Sequence, residues 1–344
     1  MRLMHWILGA VLVLIAGAVT LGAVHMNRFL DTPAANTNGG VDFEIESGSS
    51  FGGVAAELEE QGIISSSTLL RLYARWTDQA GAIQAGEYYI EAGTTPRKLL
   101  RQFTSGAVRL YSFTIIEGWN RWDILQALHD HPRLVATMTD EDWPALLEKL
   151  GAKTSHPEGL FLPETYHFPG NTSDRELLQQ AYEHMQDALA EEWAERSESS
   201  VAGSPYEALI LASIIEKETA RTDERPRIAG VFTRRLQKRM RLQTDPTVIY
   251  GIGPGFNGNL TRKDLRRDTP YNTYTRHGLP PTPIAMPGRA AINAAVQPAA
   301  GEELYFVATG LGDGSHQFSA TKAEHDAAVA DYLRRLRSQR NKGR

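Results

Sequence analysis

Glu216 and Glu218 close the stretch SPYEALILASIIEKETA, residues 204–220. Ser204 is placed to N-cap a helix, Pro205 suits its first position, and Glu207 completes a capping box. At about 100° per residue, Leu209, Ile210, Leu211, Ile214 and Ile215 sum to one direction; Glu218 lies within roughly 20° of it and Glu216 nearly opposite. Burial disfavours charge, so a carboxylate on the apolar face keeps its proton near neutral pH, as a general acid must. The alternative is a frayed last turn that leaves Glu218 in solvent. Some 200° of helix separate the two glutamates, so they cannot face one another as a catalytic pair. A second acid would have to come from Glu158, Glu164 or Asp245, each of which could equally be a cap or turn acid.

Other chemistries find little footing. There is no cysteine, hence no disulfide, thiol nucleophile or cysteine-ligated zinc. There is no P-loop, no H-E-x-x-H and no G-x-G-x-x-G after a strand. The ten histidines are scattered, and His277 and His316 lack a spaced partner, so neither a metal nor a cofactor is expected. A net charge of -5 gives no support for a nucleic-acid partner. Basic residues do cluster at Arg234, Arg235, Lys238, Arg239 and Arg241, either as a solvated helix face or as a site for an anion. Residues 243–287 are polar, rich in Thr, Tyr, Asn and Pro, and read as loops lining a cleft. Acids among tyrosines and asparagines suggest carbohydrate chemistry, in which two carboxylates usually flank the bond.

The elements that position these residues form an α+β chain. Residues 6–24 carry no charge and are long enough to cross a bilayer, preceded by a cytoplasmic head, 1–5, and followed by a Pro-, Asn- and Gly-rich linker, 25–40. Small residues around Gly22 leave a removed signal peptide as the alternative. Residues 41–108 read as a small α+β module: a strand at 41–45, a helix containing Val54 and Leu58, a helix at 68–76, a strand at 86–90, and a helix opened by Thr95-Pro96 and closed by Gly106. In size and order it is similar to a LysM-like glycan-binding module; a plain positioning module is the alternative. The pattern of Phe43, Ile45, Gly48, Val54 and Leu58 recurs without gaps at Phe113, Ile115, Gly118, Ile124 and Leu128, so residues 109–200 begin with a second strand–turn–helix unit. Ser173 and Glu176 start a helix continuing through Trp193. Residues 201–340 form a mixed α/β catalytic domain: the acid-bearing buried helix, a helix from Ile228 to Met240 with its arginines outward, a hairpin of 304–308 with 316–319, and a last helix through Leu336 before a frayed basic tail.

Four stretches, EGLFLPETY at 158–166, ASIIEKETA at 212–220, RLQTDPTVIYGIG at 241–253 and YNTYTRHGLPPTPIAMPG at 271–288, resemble the endolytic murein transglycosylases of the YceG-like, or MltG, family. The resemblance covers essentially the whole chain, including the anchor and the LysM-like part. It implies that the second glutamate of the E-K-E-T motif, Glu218 here, is the catalytic acid. Leu162 stands where an aromatic is common, and Glu164 where an aspartate is. The implied reaction is non-hydrolytic cleavage of the β-1,4 bond between N-acetylmuramic acid and N-acetylglucosamine within nascent glycan strands, leaving 1,6-anhydro ends. Gln243, Thr244, Asp245, Tyr250, Asn272 and Tyr274 are expected to form the sugar-binding wall, with Glu158 and Glu164 as further contacts. The setting is the inner membrane, single-pass, N-terminus cytoplasmic and catalytic part periplasmic, with peptidoglycan synthases as partners. Two rivals stand beside this reading: a muramidase in which Asp245 or Glu158 activates water, and a non-catalytic glycan-binding scaffold.

Overall fold

The computed structural model describes residues 2–33 and 39–342. The central part of the expected linker and the last two residues of the basic tail lie outside them. Two compact units emerge: residues 1–111 with 167–170, and residues 112–166 with 171–344.

In the first unit, helix α1 (Arg2–Asp31) is the described helix long and apolar enough to cross a membrane. It extends beyond the apolar run; from His5 to Arg28 its side chains are exposed except the half-buried Met26, and Phe29 and Leu30 are buried in the core of this unit. Arg97 locks that end by donating to Asp31 at 3.0 Å and to the Tyr73 hydroxyl at 3.1 Å. The expected strands and helices follow as β1 (Val41–Ile45), α2 (Phe51–Glu60), α3 (Ser67–Trp76), β2 (Gly86–Ile90) and α4 (Pro96–Ser105). Ser50, Ser66 and Thr95 cap the three helices, and Gly106 takes the left-handed conformation (φ 68°) that ends α4. Strands β1 and β2 pair antiparallel from Val41↔Ile90 to Ile45↔Gly86. Alternation sends Phe43, Ile45, Tyr88 and Ile90 inward onto Leu58, Leu70, Leu99 and Phe103.

The chain passes between the units within β3 (Leu110–Thr114) and β5 (Thr165–Pro169). Gly118 (φ 80°) turns the chain as Gly48 (φ 85°) does in the first unit, and α5 (Arg121–Asp130) follows behind an Asn120–Asp123 capping box. Next come β4 (Leu134–Val135), α6 (Trp143–Lys149), β6 (Thr172–Ser173), parallel to β4, and α7 (Asp174–Ala194), opened by the Ser173–Glu176 box.

Helix α8 (Pro205–Glu218) is the centre of the second unit. Every residue from Ala208 to Ile215 is buried. The apolar direction read from the large side chains is therefore a bias on a helix enclosed all round, because Ala208, Ala212 and Ser213 let neighbours approach its other sides. Those neighbours include α7, α9 (Arg225–Gln237), α10 (Asp245–Ile252) and α12 (Arg289–Val296).

Three sequence expectations change here. Residues 243–287 are not all loop: they contain α10 and α11 (Arg262–Arg266), the first with Pro246 in its opening turn. The arginines of α9 are not all outward. Arg235 is buried and donates to the carbonyls of Leu304 (2.6 Å) and Leu242 (2.8 Å), while Arg234 reaches Glu303 O (2.7 Å) and Ala299 O (3.0 Å). A guanidinium has five donors to place, and loop carbonyls accept them. Finally, α13 (Lys322–Lys342) continues through most of the expected tail. The hairpin of β7 (Tyr305–Ala308) with β8 (His316–Ser319) forms as expected.

Candidate active site

Glu218 is the last residue of α8, and Thr219 turns extended (φ -149°) directly after it. The helix does not fray there: Thr219 is buried, and the Thr244 hydroxyl donates to Glu218 Oε1. Thr244 is itself fixed, its N–H donating to Thr273 Oγ1 at 3.1 Å and its carbonyl accepting from Thr247 Oγ1 at 2.8 Å. Burial raises the pKa of Glu218, and the charge of Asp245 raises it further; the Thr244 hydrogen bond, His316 and Arg235 pull the other way. The negative end of the α8 dipole adds to the upward push. The result is a partly buried carboxyl group biased towards its protonated form.

Glu218 lines two cavities. One, of about 450 Å³, is walled by Arg235, Gln243, Asp245, Tyr274 and Tyr305. The other, of about 390 Å³, is walled by Glu117, Gly118, Glu216, Lys217 and Arg225. Glu216 is engaged elsewhere, accepting from Arg225 Nη2 at 2.6 Å and from the Gly288 N–H at 3.0 Å. Burial raises its pKa as well, opposed by Gly288 and Arg225. Its position ties the end of α8 to the start of α9 and the residue before α12.

Of the residues expected to form a wall, Gln243, Thr244, Asp245 and Tyr274 gather beside Glu218. Gln243 is exposed in the left-handed region (φ 55°), and Tyr274 Oη donates to Asp245 Oδ1 at 2.5 Å. Asn272 differs from the expectation. It is fully buried, and its amide donates to the carbonyls of Arg267 (2.7 Å), Leu265 (3.2 Å) and Asp264 (3.3 Å). Its Oδ1 accepts from the Tyr274 N–H at 2.9 Å, so Asn272 holds the loop that presents Tyr274 rather than facing a ligand. Glu164 also lies apart, exposed and paired with His184 at 2.9 Å.

Tyr250 and Glu158 form a separate buried cluster that lines neither cavity. Tyr250 Oη donates to Glu158 Oε2 at 2.9 Å, and the Arg121 N–H approaches the same oxygen at 3.3 Å. Burial pushes Glu158 up to about 8, whereas burial and the Arg121 charge push the neighbouring His156 down to about 4. These shifts have opposite effects on stability. The unfolded chain binds the extra proton of His156 between pH 4 and 6.5, so stability rises there; the folded chain binds that of Glu158 between pH 4.5 and 8, so stability falls. Between pH 6.5 and 8 the Glu158 effect stands free of the other. Glu158→Gln, which retains an oxygen for Tyr250, is expected to flatten the decline of Tm across that window, read by circular dichroism. An unchanged slope would mean that Glu158 is ionised in the folded protein.

The sequence marks Arg235 only as one of a basic cluster and does not mark Tyr305; the Arg235 guanidinium and the Tyr305 ring lie 5.0 Å apart. Spacing could have marked Arg235, which stands at i+7 from Ile228 and i+4 from Val231 on the buried face of α9. Nor did it pair His316 with Glu224, joined at 2.7 Å, because their separation in sequence is long. Among the described residues no group of three His, Cys, Asp or Glu could hold a metal ion.

Residues 43–331 match the model of the YceG-like family. A protein of Bacillus subtilis named endolytic murein transglycosylase is 32% identical over 310 residues, covering 85% of each chain. One of Streptococcus pneumoniae with the same name is 28% identical over 331 residues, 87% of this chain but 59% of that longer protein. A crystal structure of a yceG-like protein from Listeria monocytogenes superposes with a TM-score of 0.50 at 28% identity, covering 84% of this chain and 98% of that one. With a match across most of its length and relatives similar over the region that holds Glu218 and its cavities, this chain belongs to the YceG-like family.

Proposed function

We propose that the chain is a membrane-anchored endolytic lytic transglycosylase of peptidoglycan, with Glu218 as its acid and base. The observation that carries the proposal is the single partly buried carboxyl group common to both cavities, in a chain whose relatives bear that enzyme's name. Space on more than one side of the acid suits a cut within a strand, with saccharide bound on either side of the scissile bond. Tyr274 borders the larger cavity and offers an aromatic surface to a sugar there.

Protonated Glu218 gives its proton to the glycosidic oxygen as positive charge develops on the muramyl ring. The C6 hydroxyl of that ring then attacks the anomeric carbon, and the Glu218 carboxylate takes its proton. The C1–oxygen bond to the leaving sugar breaks, the 1,6-anhydro bond forms, and the carboxyl group ends protonated again with no water consumed. A nucleophile within the substrate makes a second carboxylate unnecessary. Of the acids a muramidase would need, Glu158 is sealed in its own cluster, whereas Asp245 is exposed beside Glu218 and keeps that rival testable. Turnover in ¹⁸O-labelled water separates the two: the proposed reaction leaves cleaved ends unlabelled, and label at new reducing ends would establish hydrolysis.

Thr244 tunes the acid. Its hydroxyl favours the ionised form of Glu218, so Thr244→Val is expected to raise that pKa and move the alkaline limb of the pH–rate profile to higher pH. An unmoved limb would show that another group sets it.

The remaining parts fit the same reading. The α1 helix anchors the chain with its N-terminus in the cytoplasm and the rest in the periplasm, where nascent strands emerge and peptidoglycan synthases are natural partners. The β1-α2-α3-β2 order of the first unit supports a LysM-like role in holding glycan.

A further inference from the structure

In the first unit, α3 carries an apolar stripe that begins at Leu69, half-buried against the core, and continues through the exposed Leu72 and Trp76. At about 100° per residue, Leu69, Leu72 and Trp76 fall within a sector roughly 60° wide, away from the inward direction of Leu70 and Ala74. Leu72 is 57% and Trp76 82% exposed. Arg71 and Arg75, both exposed, flank the stripe, Arg71 on the side of α2, where it approaches Gly52 and Glu59.

Two contacts show which way the stripe faces. Leu69 shares a cavity of about 480 Å³ with His25, Arg28 and Phe29 of α1. Tyr73, beside the stripe, meets Arg97, which also donates to Asn27 and Asp31. The stripe thus begins against α1 at His25, the first residue after the apolar run of residues 6–24. Burial of Phe29 and Leu30 in the same core fixes α3 to the emerging helix without a flexible joint.

We propose that α3 lies in the surface of the bilayer as an interfacial helix, with Leu72 and Trp76 among the lipid headgroups and Arg71 and Arg75 towards anionic lipid. Tryptophan favours this depth, an amphipathic helix with basic residues on its polar side binds there, and each cation near an anionic surface adds to the attraction. Continuity with α1 identifies the occupant as lipid, so the proposal rests on α1 being the anchor. The consequence is a first unit held flat against the membrane, not swinging at the end of a tether.

The absence of native cysteine allows a direct test. Single variants Leu72→Cys, Trp76→Cys, Val13→Cys and Glu46→Cys of the full chain are nitroxide-labelled in vesicles of phosphatidylethanolamine and phosphatidylglycerol. Power saturation then compares access to oxygen, which partitions into lipid, with access to a water-soluble nickel chelate. The expected result is an oxygen-to-nickel ratio several-fold higher at positions 72 and 76 than at the exposed Glu46 position, and highest at 13. Labels at 72 and 76 as nickel-accessible as the one at 46, with 13 in lipid, would overturn the proposal while leaving the anchor. Labels shielded from both reagents would assign the stripe to a protein partner and overturn it too. A water-exposed label at 13 would overturn the anchor itself and the proposal with it.

Discussion

Glu218→Gln is expected to lower the rate of glycan cleavage by about 10²–10⁴-fold, the usual contribution of one general acid, with Tm nearly unchanged. The amide keeps an oxygen for the Thr244 hydroxyl, so the end of α8 stays in place, but it can neither give up a proton to the leaving oxygen nor take one from the muramyl hydroxyl. Soluble fragments released from purified sacculi measure the rate. Glu216→Gln is the matched control. Its oxygen still accepts from the Gly288 N–H, and its effect should be much smaller. If it proved as damaging as Glu218→Gln in a folded protein, the division of labour between the two glutamates would be wrong.

The largest stability effect is expected at Arg225. Its side chain is 4% exposed and donates to Glu216 at 2.6 Å and Glu117 at 3.0 Å, while the Glu216 side chain is only 5% exposed. Arg225→Met leaves the nearly buried Glu216 without its cation. Breaking a buried pair from one side costs about 3–5 kcal/mol, which in a unit of this size lowers Tm by on the order of 10 °C. The penalty belongs to the stranded charge more than to the lost contact. Adding Glu216→Leu to Arg225→Met should therefore recover a substantial part of the loss in thermal melts, less the hydrogen bond to Gly288. A double variant no more stable than Arg225→Met alone would show that packing of the arginine stem, not ion pairing, is what α8 and α9 depend on.

Local signals carried far in this chain. Thr95, Ser173 and Ser204 cap the helices that their spacing announces, and Gly48 and Gly118 both adopt positive φ at matching places. Periodicity by itself sets Glu218 on the apolar face of its helix. It could not show what holds Glu218, because the partner, Thr244, is 26 residues further on and arrives through tertiary packing. The same limit explains Asn272 and Arg235. A buried asparagine that satisfies three carbonyls has the same sequence appearance as one facing a sugar, and an arginine on an amphipathic helix reads as solvated until a strand end supplies acceptors for it. Helix α10 was hidden by its length: eight residues opened by Thr244 and Pro246 contain too few turns for a period to stand out from the polar segment around it. At the other end of the chain, charge-free length locates α1, but only the burial of Phe29 and Leu30 reveals where that helix enters a core.

The central claim is that one carboxyl group cuts the glycan without water, and product analysis tests it most directly. Purified sacculi are incubated with the wild-type chain and with Glu218→Gln, digested to small muropeptides, and analysed by mass spectrometry. The account predicts new 1,6-anhydro-muramyl ends with the wild type and none above background with the variant. New reducing muramyl ends in place of anhydro ends, or anhydro ends undiminished by Glu218→Gln, would contradict it.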